Sequence, residues 1–238
     1  MQQDMDKAYK ESVEFWDSAY AMTEEEKEEA LKEGVAEDDW RGLAPSPTIL
    51  KFVELISDCD KFLDYGCGYG WASIAAAKSG CKDVTAVEVV KNAVDLTEFY
   101  SKLYGVGDRV KTKLVDYDWM GNQPEGSFDG FFCGNVLDVV PMKSTRSILT
   151  AAKKILKKGA RIILTMNYYA EPKDDPERNI KFEEGKYLFV NGVLRMMSLT
   201  DDEWKELLGE YFTVVEVVHF AWPGEEEEKR RLFYLTND

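Results

Sequence analysis

From Lys61 onward the chain alternates between short apolar runs and stretches in which apolar residues return every three or four positions. The runs 62–64, 84–88, 110–115, 128–133 and 161–166 have the length and the Val, Ile and Phe content of buried strands. Between them, 71–78, 92–103 and 145–156 carry helical periodicity, and Gly80 ends the first of these helices. Such alternation predicts an α/β fold, a parallel sheet with helices on both faces. After position 170 the pattern changes. Residues 186–190 and 193–197 flank Asn191-Gly192, a pair suited to a type I′ hairpin turn. A helix over 201–208 follows, with Thr200 as N-cap and Glu203 at its third position. Two last strands, 212–220 and 231–236, are separated by Pro223-Gly224 and the acidic run 225–228, which reads as solvated surface.

The first 46 residues read as a helical, acidic extension to a main domain over 47–238 that carries a hairpin insertion at about 170–197. Tyr9, Val13, Trp16 and Tyr20 recur at spacings of four, three and four, one aromatic face on a helix. That face is either a packed stripe or a lid over a bound ligand. Thr23 and Glu26 form a capping box opening a second helix that Gly34 ends. Residues 40–47 read as a loop, with Ser46 as N-cap and Pro47 at the first position of a helix through about 57.

Composition narrows the function. The 238 residues carry a net charge of −15 and 45% apolar side chains, which fits a folded domain and sets a field that repels phosphate backbones. Nucleic acid is therefore excluded as the expected partner. Cys59, Cys67, Cys81 and Cys133 contain no C-x-x-C pair, which predicts reduced thiols, no metal site and a cytoplasmic chain. The opening Met1-Gln2-Gln3-Asp4 is acidic and lacks an apolar run, so no signal peptide is expected. No apolar stretch approaches the ~20 residues of a membrane helix.

The chemistry concentrates in Phe62-Leu63-Asp64-Tyr65-Gly66-Cys67-Gly68-Tyr69-Gly70, with Glu88 closing the next apolar run. A strand feeding a glycine turn and a helix, then an acid that can accept ribose hydroxyls, describes a nucleoside pocket. A dinucleotide fingerprint would place glycine at position 71, where the chain has Trp71. D-x-G-x-G-x-G instead resembles motif I of the class I S-adenosylmethionine-dependent methyltransferases. Ser127 to Pro141 is similar to the family's F-D-x-V and V-L-x-x-V-P segment, and Leu156 to Leu164 to its L-K-P-G-G turn, with Lys158 and Ala160 departing from it.

The resemblance implies a Rossmann-like, seven-stranded and mostly parallel sheet with an antiparallel last strand. It also implies S-adenosyl-L-methionine as cofactor, S-adenosyl-L-homocysteine as product, and in-line displacement onto a small-molecule acceptor. Asp64 would lie near the methionine amino group, and Gly66, Cys67, Gly68 and Gly70 would form the cofactor loop. Glu88 would hold the ribose and Val89 the adenine face. Asp116, or alternatively Asp118, would receive the adenine amine beside Tyr117. Asn135 would sit at the methyl group. Asp138 is the best-placed base unless it caps a helix, and Tyr168 and Tyr169 stand at the acceptor site or simply pack. Trp40, Tyr117 and Trp16 are aromatic candidates for the cationic methyl centre. His219 reads as structural. The dense carboxylates favour a neutral or cationic acceptor. A protein acceptor, a non-catalytic cofactor-binding protein and a nicotinamide oxidoreductase are the competing readings.

Overall fold

A strand buried on both faces must be mainly apolar; four of the five runs lie inside the sheet, whereas 110–114, with Lys111 and Lys113, forms its exposed edge. The computed structural model describes residues 2–238, with side chains from Lys10 onward except that of Ser12. The strands are β1 (Phe62–Tyr65), β2 (Val84–Glu88), β3 (Val110–Leu114), β4 (Phe128–Gly134) and β5 (Leu156–Met166). They are followed by β6 (Ile180–Glu183), β7 (Tyr187–Val190), β8 (Val193–Met197), β9 (Thr213–Phe220) and β10 (Arg230–Asn237). The main sheet runs β3-β2-β1-β4-β5-β10-β9, with β1 to β5 parallel and β10 antiparallel to both neighbours. Strand order reverses beside β1, so the loops leaving β1 and β4 part there and open a crevice at the carboxyl edge.

The helices are α1 (Gln2–Ala19), α2 (Glu24–Glu33), α3 (Pro47–Ile56), α4 (Trp71–Lys78), α5 (Lys91–Leu103), α6 (Met142–Ile155) and α7 (Asp201–Gly209). Alternation along the strands sorts the core into two faces. Leu63, Ile162 and Leu164 pack with Trp204 of α7 and Leu149 of α6, while Phe62 and Ile163 pack with Val53 of α3 and Ile74 of α4. Short alanine side chains let α4 press onto the sheet, and Trp71 meets Phe132 edge-on with centroids 5.2 Å apart.

Local chemistry fixes the helix ends. Thr23 and Thr200 each complete a capping box with the glutamate three residues on, and Ser46 accepts from Thr48 N–H ahead of Pro47. Asn191 and Gly192 both have positive φ, 53° and 78°, as a type I′ turn requires. Two boundaries differ from expectation. Pro141 starts α6 at Met142, three residues early, and β5 begins at Leu156, which pairs with Phe128 before an irregularity after which pairing resumes at Ala160 with β10 and at Arg161 with β4. The hairpin has a third strand, β6, giving a separate antiparallel sheet β6-β7-β8. The 40–47 segment is partly a 3₁₀ turn over Asp39–Leu43, which carries Trp40 inward. Among the described residues no helix is long and apolar enough to cross a membrane.

Candidate active site

The glycine turn after β1 is shaped by what lies against it. Gly66 has φ +72°, and a Cβ there would stand 2.3 Å from Cγ2 of Val136 in the loop after β4. Gly68 has φ +55°, and its Cβ would meet Tyr20 Oη at 2.8 Å. Both positions need an absent side chain as well as left-handed backbone. Gly70 is the N-cap of α4. Glu88, ending β2, turns one oxygen to this loop: Oε2 accepts from Gly68 N–H at 3.2 Å, while Oε1 accepts from the N–H of its own neighbour Val89 at 2.7 Å. Burial pushes its pKa up, and the backbone donors pull it back.

Asp64 lies under the floor of the cleft. It is 1% exposed, and Oδ2 accepts from Ser73 N–H (3.0 Å) and Ser73 Oγ–H (2.6 Å) at the N-terminus of α4. Its Oδ1 has no partner, and burial pushes its pKa up to about 7, against the Ser73 bonds. The expected contact with a methionine amino group is thus corrected: Asp64 braces the turn from below, because its β1 position faces α4.

Above this floor opens a cleft of about 1210 Å³. Gly66, Cys67, Gly68, Glu88, Val89 and Tyr117 line it, whereas Gly70 does not. Asp118 is on its wall and Asp116 is not: Asp116 Oδ1 accepts from Asp118 N–H in a local Asx turn. Asn135 is also on the wall, with φ +55°. Its N–H donates to Thr165 O at 2.8 Å, and its Oδ1 accepts from Thr165 Oγ at 3.0 Å, which leaves the amide NH₂ as its ligand-facing donor.

Two expected residues are elsewhere. Asp138 is fully buried, with Oδ2 accepting from Asn167 N–H (2.7 Å) and Nδ2 (2.9 Å), so it fastens the end of β5 and is neither an exposed base nor a helix cap. Burial pushes its pKa up. Trp40 is 5% exposed in the core with Arg41 over its ring, which removes it from the cleft. Tyr168 lines the cleft, half-exposed, while Tyr169 stands off it. His219 Nε2 pairs with Asp201 Oδ2 at 2.8 Å on the outer strand.

The N-terminal helix forms a roof. Val13, Phe15, Trp16 and Tyr20 line the cleft, with Trp16 stacked on Tyr20 at 6.0 Å, while Tyr9 lies outside the described side chains. Asp17 ties this roof to α5, accepting from Asn92 N–H through Oδ1 and from Asn92 Nδ2 through its carbonyl. Burial, then the nearby Glu88, pushes the Tyr20 hydroxyl pKa up.

Several cleft residues gave no local sequence signal. Arg230 on β10 holds Glu225 through Nε and Nη2, donates Nη1 to Asn167 Oδ1 at 2.7 Å, and stacks 3.3 Å from the Trp222 ring centroid. Glu225 is therefore an ion-pair partner at the rim rather than plain solvated surface. Arg195 on β8 lies 4.4 Å over the Phe15 ring. Among the described residues no three His, Cys, Asp or Glu side chains group as a metal site requires.

A family model described as a methyltransferase domain matches residues 62–159. Ubiquinone biosynthesis O-methyltransferase of Dechloromonas aromatica is 28% identical over 44% of this chain and 43% of its own length. Ribosomal protein L11 methyltransferase of Ralstonia nicotianae is 31% identical over 44% and 32%. The chain thus spans less than half of the curated relatives it matches. The crystal structure of Burkholderia thailandensis 1,6-didemethyltoxoflavin-N1-methyltransferase, bound to 1,6-didemethyltoxoflavin and S-adenosylhomocysteine, superposes with a TM-score of 0.63 over 84% of this chain and 82% of that one, at 18% identity. Residues 62–159 thus match a methyltransferase domain, set in a sheet with the fold of S-adenosylmethionine-dependent methyltransferases.

Proposed function

We propose that the protein transfers a methyl group from S-adenosylmethionine to a small-molecule acceptor. One observation carries this reading: a side-chain-free turn at Gly66 and Gly68, closed by a half-buried Glu88, opens into a cleft larger than one ligand needs. Pockets of roughly 300–1,000 Å³ hold one drug-sized molecule, and this one measures about 1210 Å³. The residues present fit the cofactor. Backbone approaches closely only where Cβ is missing, and Glu88 is a desolvated carboxylate whose oxygens a ribose diol can recruit.

Bound S-adenosylmethionine supplies an activated methyl group; the chain supplies alignment. Glu88 and Val89 would hold the nucleoside, Asp118 the adenine amine, and the NH₂ of Asn135 would orient the acceptor. Roofing by Phe15, Trp16 and Tyr20 would keep water out. Alignment of this kind can lower a barrier by roughly 7–11 kcal/mol, so no buried base is required of Asp138. The roof, residues 1–46 acting as a lid, also favours a small acceptor over a protein, although some curated relatives are ribosomal protein methyltransferases. A cytoplasmic setting belongs to the same reading, supported by four free cysteines.

Incubation with S-adenosylmethionine and either a small-metabolite extract or the protein fraction, followed by assay of S-adenosylhomocysteine, tests the reading. Product release with metabolites alone is expected. Release only with proteins would reassign the acceptor, and calorimetric binding of NAD in preference to S-adenosylmethionine would overturn the assignment altogether.

A further inference from the structure

Charge is unevenly distributed around the cleft. The acidic residues of its lining, Glu88 and Asp118, come from the end of β2 and the loop after β3. The basic ones, Arg195 and Arg230, come from β8 and from β10 beyond β5. Glu88 and Arg230 are therefore separated across the main sheet's strand order, and Arg195 comes from the separate β6-β7-β8 sheet. Arg230 is neutralised by Glu225. Arg195 is not: in a chain with 45 acidic and 30 basic residues, its guanidinium has no carboxylate partner and no protein hydrogen bond among the described residues. It is half-buried, and its guanidinium lies over the Phe15 ring.

That contact matters chemically. A guanidinium stacked on an aromatic ring uses its face, while its five N–H donors lie in plane and stay available as a fork for two oxygens. The cleft it lines is also walled by Leu188, Val190 and Met196 from the insertion sheet and by Val139, Val140 and Ile148 from the loop after β4 and from α6, with Ser144 and Ser147 of α6 beside them. We propose that Arg195 binds a carboxylate or phosphate group of the acceptor, which is therefore an anion with an apolar body. The inference rests on the cleft being a methyltransferase site, and it reverses the expectation that an acidic chain takes a neutral or cationic acceptor. Screening makes this compatible with the net charge, because exposed carboxylates act weakly beyond about 8 Å at physiological salt, whereas a forked pair in the cleft is a short-range contact.

The test uses the full chain as wild type, Arg195→Met and Arg195→Lys. Calorimetry with S-adenosylhomocysteine comes first and should give affinities within twofold of one another. The product-saturated proteins are then titrated with 2-naphthoate, 1-naphthyl phosphate and 2-naphthamide. Wild type is expected to bind at least one anion tenfold or more tightly than the amide. Arg195→Met should erase that preference and Arg195→Lys keep part of it, and the preferred anion tells carboxylate from phosphate. Equal affinity for amide and anions, binding by neither anion, or a preference that survives Arg195→Met overturns the proposal. Failure of S-adenosylhomocysteine to bind wild type instead removes the methyltransferase reading, and the naphthyl series without it still decides the role of Arg195.

Discussion

Replacing Asp64 with asparagine probes the floor of the cleft through its cost to the folded state. Asp64 ionises near 3.8 in an open chain, and burial pushes it up to about 7 in the fold. A carboxyl raised in this way favours folding when protonated, so its contribution is greatest below pH 3.8 and is lost as pH climbs towards 7. The window spans roughly three pH units, at about 1.36 kcal/mol each. About half of it lies above pH 5.5, so the wild type should lose about 2 kcal/mol between pH 5.5 and 8.5 through this group. The side chain of Asp64→Asn cannot ionise. Its carbonyl can still accept from Ser73 N–H and Oγ–H, while its NH₂ falls where Asp64 Oδ1 has no partner. An unpartnered amide costs roughly 1–3 kcal/mol, but by the same amount at every pH. Urea unfolding of both proteins, followed by tryptophan fluorescence at pH 5.5, 7.0 and 8.5, cancels the other titrating groups in the difference. Asp64→Asn should gain about 2 kcal/mol on the wild type across that range. A difference flat to within about 0.5 kcal/mol would show that Asp64 ionises normally in the fold and would refute the account of its burial.

Glu88→Ala should weaken S-adenosylmethionine binding at least tenfold, about 1.4 kcal/mol; an unchanged Kd by calorimetry would unseat Glu88 as the nucleoside anchor. Gly66→Ala should lower Tm through left-handed strain on the order of 1–2 kcal/mol and a clash with Val136 worth about 1–3 kcal/mol. Adding Val136→Ala should relieve the clash and leave the strain, so a double variant no more stable than Gly66→Ala counts against the geometry. Arg231→Met removes donors to Asn167 O, Leu199 O and Asp201 Oδ1. Breaking such a buried pair costs roughly 3–5 kcal/mol, and a loss below about 1 kcal/mol in urea titration would mean that water replaces the guanidinium freely.

Features set by neighbouring residues were legible, and those set across the chain were not. The central strands announce themselves because two covered faces demand unbroken apolar runs. Thr23, Thr200 and Asn191-Gly192 carry their own capping or turn chemistry. The glycine turn and Glu88 could be located because backbone conformation and one strand end fix their positions. β6 was missed because Ile-Lys-Phe-Glu is four residues long, alternates with charge and lies at the edge of a small sheet. Asp138 resembled an exposed acid because its partner, Asn167, lies on another strand end. The Arg230–Glu225 pair was hidden inside what reads as a solvated acidic run. Phe15 and Arg195 stand at opposite ends of the sequence, and only the packing of α1 on β8 brings them together.

The antiparallel strand β10 does more than close the sheet. Its Arg230 and Arg231 grip Asn167 from both sides: Arg230 Nη1 reaches the side-chain Oδ1, while Arg231 Nε and Nη2 hold the carbonyl at 2.9 and 2.6 Å. The N–H and Nδ2 of the same residue turn the other way, onto Asp138 Oδ2. One asparagine thereby joins the ends of β5 and β10 to the loop after β4. Burial pushes the Asp138 pKa up, and the two Asn167 donors, followed by the nearby Arg231, draw it back. A parallel strand at this position would bring its amino end to the opposite edge of the sheet, and no side chain at its start could reach Asn167. Reversal of β10 is what places the residues at its start beside the cleft. Tyr168, next in the chain, can therefore stand half-exposed on the cleft wall from an anchored backbone, so the wall expected to meet the acceptor owes its rigidity to the last strand of the sequence.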